Sequence, residues 1–181
     1  MKKLVLAAVS VVVLVLVSGG FFYWQNQADV RALNKTLPEG VKIAKSLIGN
    51  EYRVVNKKDG YEFKIPPNMT DLKEVKYYEE KDSNGISLES LNDGVLGFGV
   101  YKIDATDINL ESWVDDWISK FKTYSWTKEK GVIGDFEVIK LNENEHLAGV
   151  FNYFFKKGPR IYSVNSLSED PIDYVISNGK W

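Results

Sequence analysis

Apolar and polar positions follow three different patterns along this chain. The first is an uncharged run of 21 residues from Leu4 to Trp24, preceded by Lys2 and Lys3. About 20 such residues cross a bilayer core as a helix. Phe21, Phe22, Tyr23 and Trp24 close the run and Gln25-Asn26-Gln27 follow, as in an interfacial aromatic belt. Leu4, Val11, Leu14 and those four aromatics therefore predict a single transmembrane anchor over 1–27. The two lysines place its N-terminus inside and the remaining chain outside, on a periplasmic or extracellular face. The alternative is a signal peptide cut after Gly19 or Gly20, which would give a secreted protein.

The second pattern has period two. Tyr61, Phe63 and Ile65 alternate with Glu62 and Lys64, and Pro66-Pro67 stops the run. Tyr52, Val54 and Val55 open an earlier strand. Val75 to Glu80 and Gly85 to Leu91 read as a hairpin turning at Ser83-Asn84-Gly85, since Asn-Gly suits a type I′ turn. In Val95 to Ile103, Leu96, Phe98 and Val100 share one face. Gly97 and Gly99 share the other, where a helix or another backbone could approach closely. Thr123 to Glu129, Ile133 to Leu141, Leu147 to Lys156 and Arg160 to Leu167 are further strands.

The third pattern is helical. Leu110, Trp113, Val114, Trp117, Ile118 and Phe121 make one apolar stripe behind an Asn109 cap. Glu111, Asp115, Asp116 and Lys120 lie opposite. Pro171 suits the first turn of a last helix at Ile172 to Ile176. Ala28 to Asn50 reads as a polar connector with a short helical piece, interrupted by Pro38-Glu39-Gly40. The predicted organisation is an anchor (1–27), a connector (28–50) and one α+β domain (51–181). In that domain helices cover an antiparallel sheet.

Composition narrows the chemistry. The chain has 181 residues and no cysteine, which removes disulfides, thiol nucleophiles and thiolate metal sites. With 23 basic and 25 acidic residues it has no basic face to offer nucleic acid. His146 is the single histidine and lies in the polar stretch Asn142-Glu143-Asn144-Glu145, between strands. One histidine supplies no metal triad, and no G-x-S-x-G accompanies it. Asp115 and Asp116 lie on a solvated helix face, not in a setting that would split their pKa values. Asp104, Asp107, Glu169, Asp170 and Asp173 could offer oxygen ligands, but lack the EF-hand spacing. Gly94, Gly97 and Gly99 do not follow the order of a phosphate-binding loop. Trp113 and Trp117 read as core. Trp126, Tyr153 and Phe154 are the candidate partner surface, because outward aromatics mark grooves and interfaces.

From Tyr52 onward the chain resembles the PsbP-like family, the photosystem II extrinsic protein and its bacterial relatives. The same fold group holds a Ran-binding nuclear import factor. The residues concerned are Asp59-Gly60-Tyr61-Glu62-Phe63-Lys64-Ile65-Pro66, Leu110-Glu111-Ser112-Trp113-Val114, Gly134 to Val138, and Tyr153 to Val164. The resemblance implies an α/β/α sandwich around an antiparallel sheet and a non-catalytic domain that binds or stabilises membrane complexes. It carries calcium as an associated cation, with no ligand motif to match here. The expected function is a membrane-anchored, non-catalytic accessory module for a protein partner. The alternative is an envelope protein that binds a small ligand or calcium.

Overall fold

The computed structural model describes residues 17–46, 49, 51–91, 94–102, 108–120, 125–143 and 150–181. Leu4, Val11, Leu14, Asp104, Asp107, Phe121 and His146 lie outside these residues.

The protein is built mainly from strands, arranged as two antiparallel sheets. β1 (Val41–Lys45), β2 (Tyr52–Asn56), β3 (Tyr61–Lys64) and β11 (Gly179–Lys180) form a small sheet in that order. The large sheet uses β4 (Leu72–Glu79), β5 (Ser83–Ser90), β6 (Val95–Lys102), β7 (Trp126–Ile133), β8 (Phe136–Glu143), β9 (Phe151–Lys157) and β10 (Arg160–Ser166). Its order is β4-β5-β6-β10-β9-β8-β7. The helices are α1 (described over 17–26), α2 (Ala28–Leu33), α3 (Leu110–Lys120) and α4 (Glu169–Ser177).

This corrects the expected helix-covered sheet. The inner face of the large sheet packs on the small sheet and on α4. Ile86, Leu88, Phe98, Tyr153, Phe155 and Tyr162 meet Val54, Tyr61 and Phe63 from one side and Ile172, Val175 and Ile176 from the other in one continuous core. Burying such side chains contributes roughly 1.5–3 kcal/mol each. The connector supplies β1, whose Val41 and Ile43 are buried. A fourth strand arrives from the C-terminal segment. These short edge pieces have too few residues to show a period, so the second sheet is hidden in the pattern.

The transmembrane anchor is also corrected. No helix among the described residues is long and apolar enough to cross a membrane. Phe21, Phe22, Tyr23 and Trp24 lie on α1 and are exposed. A turn at Gln27 separates α1 from α2, and α2 packs on β1. Asp29 ties α2 to the small sheet. It accepts hydrogen bonds from the Tyr52 hydroxyl and from Lys45, the latter at 3.0 Å.

On the outer face, α3 behaves as its spacing predicts. Asn109 Oδ1 accepts from the Ser112 amide at 3.1 Å. Val114 is fully buried against Ile139, Leu141, Phe154 and Ile161, with Trp113, Trp117 and Trp126 closing the cluster. The helix contacts β8 and β9. Among the described residues no helix lies over the rest of the outer face, on β5, β6 and β10.

Two turns fall elsewhere than the sequence suggests. The β4–β5 hairpin turns at Glu80–Ser83, where the Glu80 amide donates to the Ser83 carbonyl, and Asn84-Gly85 is strand. Asn84 is needed inside, as described below. A β-carbon on Gly85 would come within 3.0 Å of the Phe98 carbonyl oxygen. The β7–β8 turn falls at Gly134-Asp135, where Gly134 takes φ 58°, so β7 continues through Lys130–Val132.

Candidate binding groove on the outer sheet face

Strand register assembles the candidate site from the consecutive strands β4, β5 and β6 and the sequence-distant β10. Tyr78, Gly85, Gly99 and Ser163 lie side by side on β4, β5, β6 and β10. The next row on the same face is Lys76, Ser87, Gly97, Asn165 and Asn152. Each strand alternates a large apolar residue inward with a small or polar residue outward. Ile86 and Leu88 face the core while Gly85 and Ser87 face out. Leu96 and Phe98 face in while Gly97 and Gly99 face out. Tyr162 and Val164 face in while Ser163 and Asn165 face out.

The result is an open groove of about 380 Å³. Its floor is made of small residues. A β-carbon on Gly99 would lie 2.6 Å from Ser163 Oγ, and one on Gly97 would collide with the Asn165 carboxamide. These two polar side chains therefore rest on the glycines. Tyr78, half exposed, stands at the edge strand. Tyr101 stands on the other side, packed edge-on against Trp113 with 4.9 Å between centroids.

The polar groups on this floor are free. Ser163 is only 5 % exposed, yet neither its hydroxyl nor the Asn165 carboxamide has a side-chain hydrogen-bond partner among the described residues. Asn165 is half-buried, and the polar ends of both side chains open onto the groove. Both aim into the groove, where a ligand could satisfy them.

One end of the groove is held by a buried carboxylate. Asp59, in the β2–β3 turn, is 4 % exposed. It accepts from Asn84 Nδ2 at 2.5 Å, Asn56 Nδ2 at 2.7 Å and the Tyr77 hydroxyl at 2.9 Å. Arg160 donates to its backbone carbonyl. Asn84 lines the groove, so Asp59 couples the small sheet to the start of β5. Burial first, and then the hydrogen bond to Asp59, push the Tyr77 phenol well above the usual tyrosine value.

A second cleft, about 430 Å³, lies between the start of α3 and the β7–β8 hairpin. Its Glu111 and Lys130 pair with each other at 2.6 Å. Lys128 pairs with Asp115 at 2.5 Å on the same helix. The α3 carboxylates are thus surface ion-pair partners, and Asp116 is exposed.

The aromatic surface expected from Trp126, Tyr153 and Phe154 is not assembled. Tyr153 and Phe154 are both fully buried. As neighbours in β9 they point to opposite faces: Tyr153 into the inter-sheet core, Phe154 under α3. Trp126 packs edge-on against Trp117 at 5.8 Å. Glu169 and Asp170 are exposed at the start of α4, and burial pushes the Asp173 carboxyl up. Among the described residues no group of three or more His, Asp or Glu could hold a metal ion, so the calcium reading finds no ligand set. The groove residues Ser87, Ser163 and Asn165 were not expected from the sequence. Their signal was the small-polar alternation on three strands, visible only once register aligns them.

No family model matches the chain, so the PsbP-like resemblance gains no support from that comparison. No curated protein matches it. A crystal structure of a Bacteroides thetaiotaomicron protein is similar with 10% identity and a TM-score of 0.41. The similarity covers 66% of this chain and 44% of that one, less than half of its length, and it carries no argument about fold or function.

Proposed function

We propose that this chain is a non-catalytic binding domain whose ligand seats in the open groove over β5, β6 and β10. The observation that supports the reading is the pair Ser163 and Asn165. Both are polar side chains without a side-chain partner among the described residues, laid over Gly99 and Gly97 and directed outward. Ligand sites keep a few convergent polar groups in a concavity. No base stands within hydrogen-bond reach of the Ser163 hydroxyl among the described residues, and an unactivated hydroxyl is a weak nucleophile.

The test is a backbone NMR titration of the full chain against three ligand classes: neutral oligosaccharides, extended peptides and nucleotides. The reading expects one class to give saturable shifts at Ser87, Gly97, Gly99, Ser163 and Asn165, with the ligand recovered chemically unchanged. Saturable shifts confined to another surface, or turnover of the ligand, would contradict it.

A further inference from the structure

We infer that the groove takes a neutral polyhydroxylated ligand, a saccharide. The inference rests on the reading of the groove as a binding site and adds the chemistry of the occupant.

Charge excludes the anionic classes first. Among the described residues the lining holds no lysine or arginine, and its one charged side chain is Glu80 at the rim. Lys76, in the outward row beside Ser87, is already paired with Glu74 at 2.6 Å, so a phosphate or carboxylate ligand would find no unpaired countercharge. Nucleotides and acidic peptides therefore fit poorly.

Apolar ligands are excluded by the floor. Covering Ser163 and Asn165 with hydrocarbon would leave a hydroxyl and a carboxamide dry and unpaired, at about 1–3 kcal/mol each. An extended peptide is disfavoured for a different reason. Peptides add to sheets by pairing with a free strand edge. β5, β6 and β10 are each paired on both sides, so the groove presents a sheet face and no free backbone groups.

The polar groups that remain match a sugar. The hydroxyls of Ser83, Ser87 and Ser163 each donate and accept, and the Asn165 carboxamide does both. Sugar hydroxyls also donate and accept, so every group on the floor can be paired. The Asn165 carboxamide and the Ser163 hydroxyl lie flat over Gly97 and Gly99, so a ring would rest on these two polar groups. Tyr78 and Tyr101 flank that position, and an aromatic face carries negative charge density that attracts the positive C–H groups of a sugar ring.

The experiment is calorimetry and NMR on the full chain with cellotriose, maltotriose and chitotriose. At least one is expected to bind with saturable shifts confined to the groove. Ser163→Ala and Asn165→Ala should each weaken it about five- to tenfold, the loss of one net hydrogen bond. Ser87→Trp, which fills the groove from an outward position, should abolish binding while leaving the thermal midpoint near that of the parent. Three results would overturn the inference. If a peptide or nucleotide shifts the groove residues and no sugar does, the groove stands as a site and the saccharide assignment falls. If no class shifts the groove, both readings fall. If a sugar binds and the alanine variants bind it equally well, the assignment to these residues falls.

Discussion

The Asn165 carboxamide lies directly on the bare Cα of Gly97, one strand away, and no side chain could share that space. The pair fixes both the depth of the groove and the direction of its amide. Gly97→Ala should push the amide out of place. Because a side-chain terminus and not backbone gives way, the stability cost should be small, about 1 kcal/mol, the low end for overpacking. Ligand affinity should fall far more than stability. Urea unfolding beside calorimetric titration checks the split.

Asp59 is the acceptor for three side chains drawn from β2, β4 and β5. Asp59→Ala leaves Asn56, Asn84 and Tyr77 without it, two of them buried. A loss of about 3 kcal/mol is expected from the unpaired donors. The β4–β5 end of the groove should loosen with it. Chemical denaturation gives the first quantity, and amide exchange at Asn84 and Gly85 gives the second.

The same site sets an alkaline limit. Tyr77 holds its proton more tightly in the fold than in the unfolded chain. A group with a raised folded pKa contributes stability below its unfolded value, near 10.0, and loses it as pH rises above that value. Unfolding free energy should therefore fall above about pH 10, and Tyr77→Phe should flatten that fall.

Asp29 acts in the opposite direction. Burial pushes its carboxyl up, but the Tyr52 hydroxyl, Lys45 and the Val30 amide outweigh burial and hold it below the ordinary 3.8. Its contribution is present above that value and lost as pH falls through it. Helix α2 should then loosen from β1 and β2 in acid. Amide exchange of Val30 to Leu33 should accelerate at low pH, and Asp29→Asn should show fast exchange at neutral pH.

Gly179 and Trp181 make a comparable pair at the other side of the core. The indole lies among Phe98, Phe155 and Tyr162, with centroids 5.1–5.4 Å away. A β-carbon on Gly179 would overlap that indole, which has no room to move. Gly179→Ala should therefore expel Trp181 and cost about 3 kcal/mol, close to Trp181→Ala. Matching losses in both variants, with a red-shifted tryptophan emission, would establish the point.

Strong periods were legible in the sequence and weak ones were not. The α3 stripe and its Asn109 cap followed from spacing, because one helix face meets one sheet face. The alternation Tyr61–Phe63 likewise identified β3. The split into two sheets was hidden, since β1 and β11 are short and gain their partners only through tertiary contact. Asn84-Gly85 misled because local turn chemistry yielded to a long-range bond from Asn84 to Asp59. Phe21 to Trp24 read as an interfacial belt, whereas they lie exposed on α1 and no helix among the described residues is long and apolar enough to cross a membrane. Tyr153 and Phe154 were taken for surface, although successive strand residues here face two separate cores. The groove was half legible. Gly97 and Gly99 marked a face open to close approach, but the approach by a helix never happens, and Asn165 and Ser163 lie there in its place.

The most direct measurement is a crystal structure of the full chain soaked with whichever of the three trisaccharides binds. The account predicts a sugar ring on the floor formed by Ser163 and Asn165, within hydrogen-bond distance of Ser163 Oγ and the Asn165 carboxamide, and flanked by Tyr78 and Tyr101. A sugar bound at another surface, with the groove filled only by solvent, would contradict it.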